Sequence, residues 1–576
     1  MKNILFKYVA IISICLFVAC DDSFLEEKIF TGVSESNLYS TLETAQPGLY
    51  GLYKLMASPI PGEGKGESGT WFRGMEWMTE SNTDELIVGG ACESPAWITL
   101  SVMELTSDND QTTATWSALY QGIAAANLFI ENVGDIEATD AETTAKKKSM
   151  LAEATFMRGF FHYNLMMLFG GVPYLTNIQL PTEIRRNTIE EVVQGIENDW
   201  NFALANLEVD KNESSFRVGK HIVRVFQAKL NLYLGSANES YADSDFDWSQ
   251  NGNVNLNAFD WVDGSDDIAK NNGKTRFQLA VELAEQVYGA YTLTPKYDRM
   301  FMSAGVAEQE KEFIFAVSFS PDEYNRSVEW MLPTGNFEVG GGLYGRAVPY
   351  GETFYLYAAE DIRIKNVSKG LLNDGDFETI EGLEFQKLDL IDPDFEWGWN
   401  KTEHWKYTVS KWRRPVPGQV DIDKFTVDWD MPLMRYGELL LLLAEADFRA
   451  TGSETRARQL LSELRLRAAE DDTARRDALD AEYLEVNLID EIMEERSREL
   501  CFEMHRRYDL IRTGRYLNSV TSKDPLLVSD AYQYRANIER VQNSLTTKGN
   551  TTFWYPIPLR ERLIFPSLEQ NPGYNN

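Results

Sequence analysis

Residues 152–173 read AEATFMRGFFHYNLMMLFGGVP, from Ala152 to Pro173, and this stretch decides the fold class. Phe156, Phe160, Tyr163 and Met167 recur at helical spacing on one face, and Met157, Phe161, Leu165 and Leu168 on another. A helix that is apolar on both sides is buried on both. The period predicts a helix from about Thr143 to Phe169, stopped by Gly170, Gly171 and Pro173.

Upstream, Trp116, Leu119, Tyr120 and Ile123 repeat every three or four residues from Thr112 to Val133, with Asp108 and Asp110 before them to favour a helix start. The two segments form a helical hairpin. Further helices are predicted over Thr188 to Leu207, Gly219 to Leu234, Arg276 to Tyr291, Pro432 to Ala450, Glu454 to Ala469 and Leu484 to Arg512. Paired helices on short links indicate a tetratricopeptide-like scaffold, although the strict period of about 34 residues is absent. The fold class is therefore mostly α. Between Ser236 and Lys274, and again between Val317 and Asp430, the period fades into segments rich in Gly, Asn, Asp, Trp and Tyr. Long aperiodic loops are uncommon in compact domains unless they carry function, so the binding surface is expected there.

At the N-terminus, Lys2 and Lys7 flank an apolar run from Tyr8 to Val18 that ends in Ala19 and Cys20. The run is too short for the roughly 20 residues of a spanning helix and reads as a signal peptide, residues 1–19, with a lipid-accepting Cys20. Two or more acyl chains on that cysteine give stable membrane anchoring. Residues 20–35 then form a tether, and residues 36–576 one domain. That domain divides into an N-terminal helical scaffold to about 316, a loop-rich insert of about 317–430, and C-terminal helices and tail from 431. With Cys15 removed and Cys20 acylated, only Cys92 and Cys501 remain, too few for a disulfide framework.

The net charge of −34 falls to −36 without Lys2 and Lys7. A charge of that sign repels phosphate backbones, so no nucleic-acid partner is expected. Gly64, Gly66 and Gly69 match G-x-G-x-x-G but follow Pro59, Ile60 and Pro61 instead of a strand, so they mark a loop. His162, His221, His404 and His505 lack ligand spacing, no cofactor motif is present, and a metal in the loops stays open. Glu494, Glu495, Arg496, Arg498, Glu499, Glu503, Arg506 and Arg507 read as an ion-pair lattice on one helix, with Glu494 facing Arg498 and Glu503 facing Arg507.

The informative excess is aromatic, 12% of the chain, because a sugar's apolar C–H face stacks on Trp or Tyr while amides and Arg hold its hydroxyls. Trp71 with Phe72 and Arg73, and Trp97, are candidates in the N-terminal part; Tyr324, Asn325, Arg326, Trp330 and Tyr344 are candidates in the insert. For any one of them, packing in the core is an equal alternative.

Six stretches together carry a family resemblance: Glu80 to Leu86 (ESNTDEL), Trp116 to Asn127, Ala152 to Pro173, Leu433 to Ala446 (LMRYGELLLLLAEA), Glu495 to Arg512 (ERSRELCFEMHRRYDLIR), and Tyr555 to Pro558 with Gln570 to Tyr574 (QNPGY). On these, the chain resembles the SusD/RagB family of outer-membrane nutrient-binding lipoproteins along nearly its full length. The resemblance implies four tetratricopeptide-like helix pairs bearing an irregular ligand region, no catalysis, and an outer-membrane position facing the cell exterior. It also implies a SusC-like TonB-dependent transporter as partner, with oligosaccharide as cargo; Asp21 and Asp22 look like the family's surface-export signal. Trp97 resembles in position the family's stacking aromatics, and Tyr324 to Tyr344 falls in its other ligand loop, without residue-by-residue matches. A peptide-uptake lipoprotein of the same fold and a surface glycosidase are the alternatives.

Overall fold

The computed structural model describes residues 38–57, 71–88, 95–212, 214–242, 255–302, 309, 311–319, 347–369, 377–380, 382–388, 407–412, 430–525 and 532–574. In chain order these form α1 (Leu42–Ala57), α2 (Trp71–Glu80), β1 (Leu86–Val88), α3 (Pro95–Ser101), α4 (Asp110–Asp135), α5 (Ala141–Phe169), α6 (Ile189–Asn206), α7 (Lys220–Tyr241), α8 (Ser265–Lys270), α9 (Arg276–Glu285) and β2 (Phe313–Val317). The insert contributes β3 (Ala347–Pro349), α10 (Gly351–Tyr355), β4 (Val367–Lys369), β5 (Phe377–Ile380), β6 (Leu383–Gln386) and β7 (Tyr407–Val409). After it come β8 (Met431–Arg435), α11 (Tyr436–Thr451), α12 (Glu454–Ala468), α13 (Thr473–Glu482), α14 (Leu488–Leu500), α15 (Arg506–Arg512), α16 (Tyr516–Thr521), α17 (Tyr532–Lys548) and α18 (Leu559–Ile564). The fold is mostly α, and helices near one another in sequence pack together: α4 on α5, α5 on α6, α11 on α12, and α7 on α9 across the short α8.

The central helix α5 matches its sequence reading closely. Asp140 caps it in a reciprocal box with Thr143, and Gly170, at φ 75°, ends it. Both of its apolar faces are buried. Phe156 lies between Trp200, Phe226 and Phe315, with ring centroids 5.9, 6.0 and 6.2 Å away, so one aromatic cluster fastens α5 to α6, α7 and β2. The glycine of the Trp116 stretch has a packing cause: a Cβ on Gly122 would stand 2.6 Å from the Phe161 ring. Tyr120 donates to Pro173 O at 2.9 Å, and Asn127 donates to Leu175 O at 3.1 Å while accepting from Arg158 at 3.1 Å. The C-terminal QNPGY stretch locks the same helix end, since Asn571 Nδ2 donates to Phe169 O and Tyr555 O at 2.9 and 2.7 Å.

Three sequence expectations are corrected. The helix expected from Pro432 begins only at Tyr436, because Met431–Arg435 is instead a buried strand that pairs antiparallel with β2. The segment expected to run unbroken from Leu484 to Arg512 is cut into α14 and α15 by Phe502 and Met504, both with positive φ (62° and 65°). With the helix broken, Glu503 no longer faces Arg507: Glu503 pairs with Arg435 and Lys411, and Arg507 donates to Asn82 and to the carbonyls of Thr552 and Phe553. Finally, α9 stops at Glu285 and not at Tyr291. Helices α1, α2, α3, α8, α10, α13, α16, α17 and α18 have no counterpart in the sequence reading, and α8 and α10 fall in segments expected to be aperiodic. No helix among the described residues is long and apolar enough to cross a membrane. Residues 1–37, including Cys20, lie outside the described set.

Candidate ligand-binding site

The insert is fastened to the scaffold by short antiparallel ribbons, not left as uniform loop. At its neck, Phe313–Val317 pairs with Met431–Arg435, so the chain leaves and re-enters the scaffold on adjacent strands. Within the insert, β4 pairs with β7 in the register Val367 to Val409 and Lys369 to Tyr407, and β5 pairs with β6. A fourth ribbon joins the N-terminal part of the scaffold to the insert. In β1 and β3, Val88 lies opposite Ala347 and Leu86 opposite Pro349. Val88, the last residue of β1, and Ala347, the first of β3, therefore stand side by side at one end of that ribbon, though they are far apart in sequence.

Beneath the ribbon lies the ESNTDEL segment, buried throughout. Asn82 donates to the Tyr555 hydroxyl at 2.7 Å and accepts from Arg507 at 2.5 Å; Arg506 grips both oxygens of Asp84 at 2.7 Å; the Ser497 hydroxyl donates to Glu85. Two carboxyls of this segment are electrostatically perturbed. Burial, reinforced by the neighbouring Glu85, pushes Glu80 well above the carboxylate range, and burial raises Glu85 to about 7 against the pull of Arg506.

The insert's footing is a charge lattice. Arg435 donates to Glu503 at 2.7 Å, to Glu312 at 2.8 Å and to Glu499 at 2.6 Å. From the insert, Arg363 reaches Asp361, Glu495 and Glu499 at 2.7, 2.7 and 3.0 Å, and Lys411 reaches Glu503 at 2.5 Å. All of these groups are buried. Burial alone would raise Glu495 and Glu499; for Glu495 the cations Arg363, Arg465 and Arg498 outweigh it and hold the group at about 2, and for Glu499 the cations Arg467, Arg435 and Arg363 hold it well below the usual range. The glycine of the LMRYGELLLLLAEA stretch makes room for this lattice, because a Cβ on Gly437 would come within 2.6 Å of Arg435 and 2.8 Å of Glu499.

Of the residues expected to bind ligand, Tyr324, Asn325, Arg326, Trp330 and Tyr344 lie outside the described set. Trp71 opens α2. Trp97 sits in α3, 2% exposed, with its ring 5.0 Å from that of Trp77, so the structure places it in the core and not on an open platform. The anchors Arg363 and Lys411, and Trp412 packed against Phe301, escaped the sequence reading. Their partners are distant in sequence, and no local pattern marks them. Among the described residues no group of three or more His, Cys, Asp or Glu side chains is arranged to hold a metal ion.

Comparison with known proteins agrees with this architecture. The family described as "Starch-binding associating with outer membrane" matches residues 73–234, and that described as "SusD family" matches residues 392–574. The chain is 24% identical to SusD-like protein P38 of Formosa agariphila, over 100% of this chain and 99% of that one. Among solved structures it resembles a SusD homolog from Bacteroides thetaiotaomicron with TM-score 0.68 at 20% identity, covering 94% of this chain and 99% of that one. It also resembles the surface glycan-binding protein A of B. thetaiotaomicron in complex with laminarihexaose, with TM-score 0.63 at 19% identity, covering 92% and 99%.

Proposed function

The chain belongs to the SusD family, and from that premise we propose that it is a surface glycan-binding lipoprotein, anchored through Cys20 to the outer membrane, that captures oligosaccharides and hands them to a SusC-like TonB-dependent transporter. One observation carries the reading: Val88, which ends β1, and Ala347, which begins β3, stand side by side at the end of a ribbon packed on a buried, charge-matched scaffold. Residues following Val88 and residues preceding Ala347 can then contribute to one surface, and a scaffold that does not yield keeps them in register without the ligand's help. The glycan bound by a relative of the same fold points to the same class of ligand.

On this surface Trp330 and a tyrosine such as Tyr324 or Tyr344 stack on sugar faces, while Asn325 and Arg326 hold hydroxyls. Each stacking contact contributes on the order of 1 kcal/mol, so affinity is modest and grows with the number of sugars engaged. Modest affinity suits a protein that must release its cargo. The test is affinity electrophoresis of the mature chain against plant, host and microbial polysaccharides, with a peptide mixture alongside. One polysaccharide class should retard it without being degraded, and Trp330→Ala should weaken the retardation about fivefold with the melting temperature unchanged. Retention by peptides alone, or release of reducing sugar, would overturn the reading.

A further inference from the structure

Glu85 stands where two parts of the molecule join. It lies immediately before β1, and its main-chain carbonyl accepts from Tyr350 N at 3.0 Å and from the Thr353 hydroxyl at 3.3 Å, both on the insert just after β3. Together with the pairing of β1 and β3, these bonds tie the N-terminal part of the scaffold to the insert. The residue is 2% exposed, and Glu80, the last residue of α2, is 1% exposed. Ser497 donates to Glu85 Oε1, but Oε2 accepts no hydrogen bond and neither oxygen of Glu80 accepts one; the N–H groups of Met504 and His505 only approach Glu80. Two neighbouring buried carboxyls so poorly bonded cannot both ionise cheaply, so the pair holds protons in the folded chain.

The groups around the pair are engaged elsewhere or uncharged. From α15, Arg506 gives both of its 2.7 Å bonds to Asp84 and stays 3.6 Å from Glu85. From the insert, Lys411 bonds Glu503 and the carbonyls of Glu499 and Cys501, and Glu352 on α10 accepts from Asp524 N at 3.2 Å. Lys523, after α16, lies 5.8 Å from the Tyr350 ring. Burial pushes the thiol of Cys501, just past α14, up to about 12 and holds His505 well below its usual range, so both are neutral. Glu76, one turn before Glu80 on α2, is a further buried acid. A new negative charge at Glu85 is therefore met by drawing Arg506 off Asp84 or by admitting water, and either disturbs the segment that carries the joint.

We propose that Glu85 is a positioning residue and its joint a proton-dependent latch: with the carboxyl pair protonated β1 and β3 stay joined, and as Glu85 ionises water enters and the two strands part. The latch works near neutral pH, since burial raises Glu85 to about 7. Its use rests on the function proposed above: capture is strongest at or below neutral pH, where the ribbon is closed, and weakens above it.

The test is hydrogen exchange followed by mass spectrometry on the mature chain without ligand, between about pH 6 and about pH 8, with rates corrected for the intrinsic pH dependence of exchange. Protection over residues 84–88 and 347–353 should fall at least about tenfold, the factor imposed over that range by a carboxyl that returns from about 7 to its ordinary 4.5 on opening. It should also stay below the protection of α5 throughout, which marks opening of the joint in an otherwise folded chain. Glu85→Gln should shrink the fall by about tenfold, and Glu80→Gln combined with Glu85→Gln should abolish it. Glu494→Gln, which removes an exposed carboxyl on α14, should leave it as it is. With no ligand present, the outcome does not depend on whether the chain binds glycan. Constant protection at the joint, protection equal to that of α5, or a fall that survives the double variant would overturn the proposal, and the natural chain decides alone if the variants do not fold.

Discussion

The two halves of the scaffold are fastened by different physics. Around α5 the junction is aromatic, with Phe156, Phe160, Trp200, Phe226 and Phe315 in mutual ring contact. Around α14 it is ionic, with Arg363, Arg435 and Arg467 converging on Glu312, Glu495, Glu499 and Glu503, all buried. The aromatic junction gains from burial whatever its detailed geometry. The ionic one is stable only while every charge keeps its partners, because desolvation of an unmatched charge exceeds what it gains elsewhere. The first should therefore fail gradually and the second abruptly.

Arg435→Met is the hardest blow to that contrast. It leaves Glu312, Glu499 and Glu503 each short of a cation in a buried setting, and the expected loss is about 5 kcal/mol, read as a collapse of the melting transition in calorimetry. Phe156→Ala removes the centre of the aromatic junction and should cost about 3 kcal/mol, with a lowered but still cooperative transition. If the two variants melt alike, the distinction between the junctions fails.

How much of this was legible in sequence follows the same divide. Aromatic side chains that face one core must recur with the helix period, so Phe156, Phe160, Tyr163 and Met167 announced α5 with its bounds nearly right. Charges that meet across long loops obey no period. Arg363 and Arg435 are separated from Glu499 by more than a hundred and by sixty-four positions, and nothing near either arginine reveals the partner. The ribbon joining β1 to β3 was hidden for the same reason. Trp97 was ambiguous on chemistry alone, since the flat ring that would stack on a sugar packs as well on Trp77. The aromatic candidates of the insert were legible as composition, and their geometry lies outside the described residues.

A smaller effect sharpens the comparison through pH. Burial raises Glu85 in the folded chain to about 7, above its ordinary 4.5. The folded state therefore binds the extra proton, and the stability this gives is complete below about 4.5 and lost as pH rises through about 7. Glu495, held at about 2, has the opposite sign: its contribution is present above about 4.5 and lost as pH falls toward 2. The melting temperature of the natural chain should fall from about pH 5 to about pH 8, with buried Glu80 adding to the same limb, and Glu85→Gln should make that limb shallower without abolishing it while leaving the acid limb intact. A limb of unchanged slope would remove Glu85 as its cause.

The smallest effect concerns the one ion pair that sequence spacing did identify. Glu494 and Arg498 stand four positions apart on α14 and meet at 2.7 Å, but Glu494 is 42% exposed, so water competes for its carboxylate. A double-mutant cycle on this pair should return a coupling of about 0.5 kcal/mol. The same cycle on Glu503 and Arg507, equally spaced in sequence, should return none, because the break at Phe502 and Met504 has turned Glu503 toward Arg435. A cycle on Glu503 and Arg435 should return several times the Glu494 value, since both groups are buried and joined at 2.7 and 2.8 Å. Helical spacing then predicts contact only while the helix continues, and it predicts energy only when solvent is excluded from the pair.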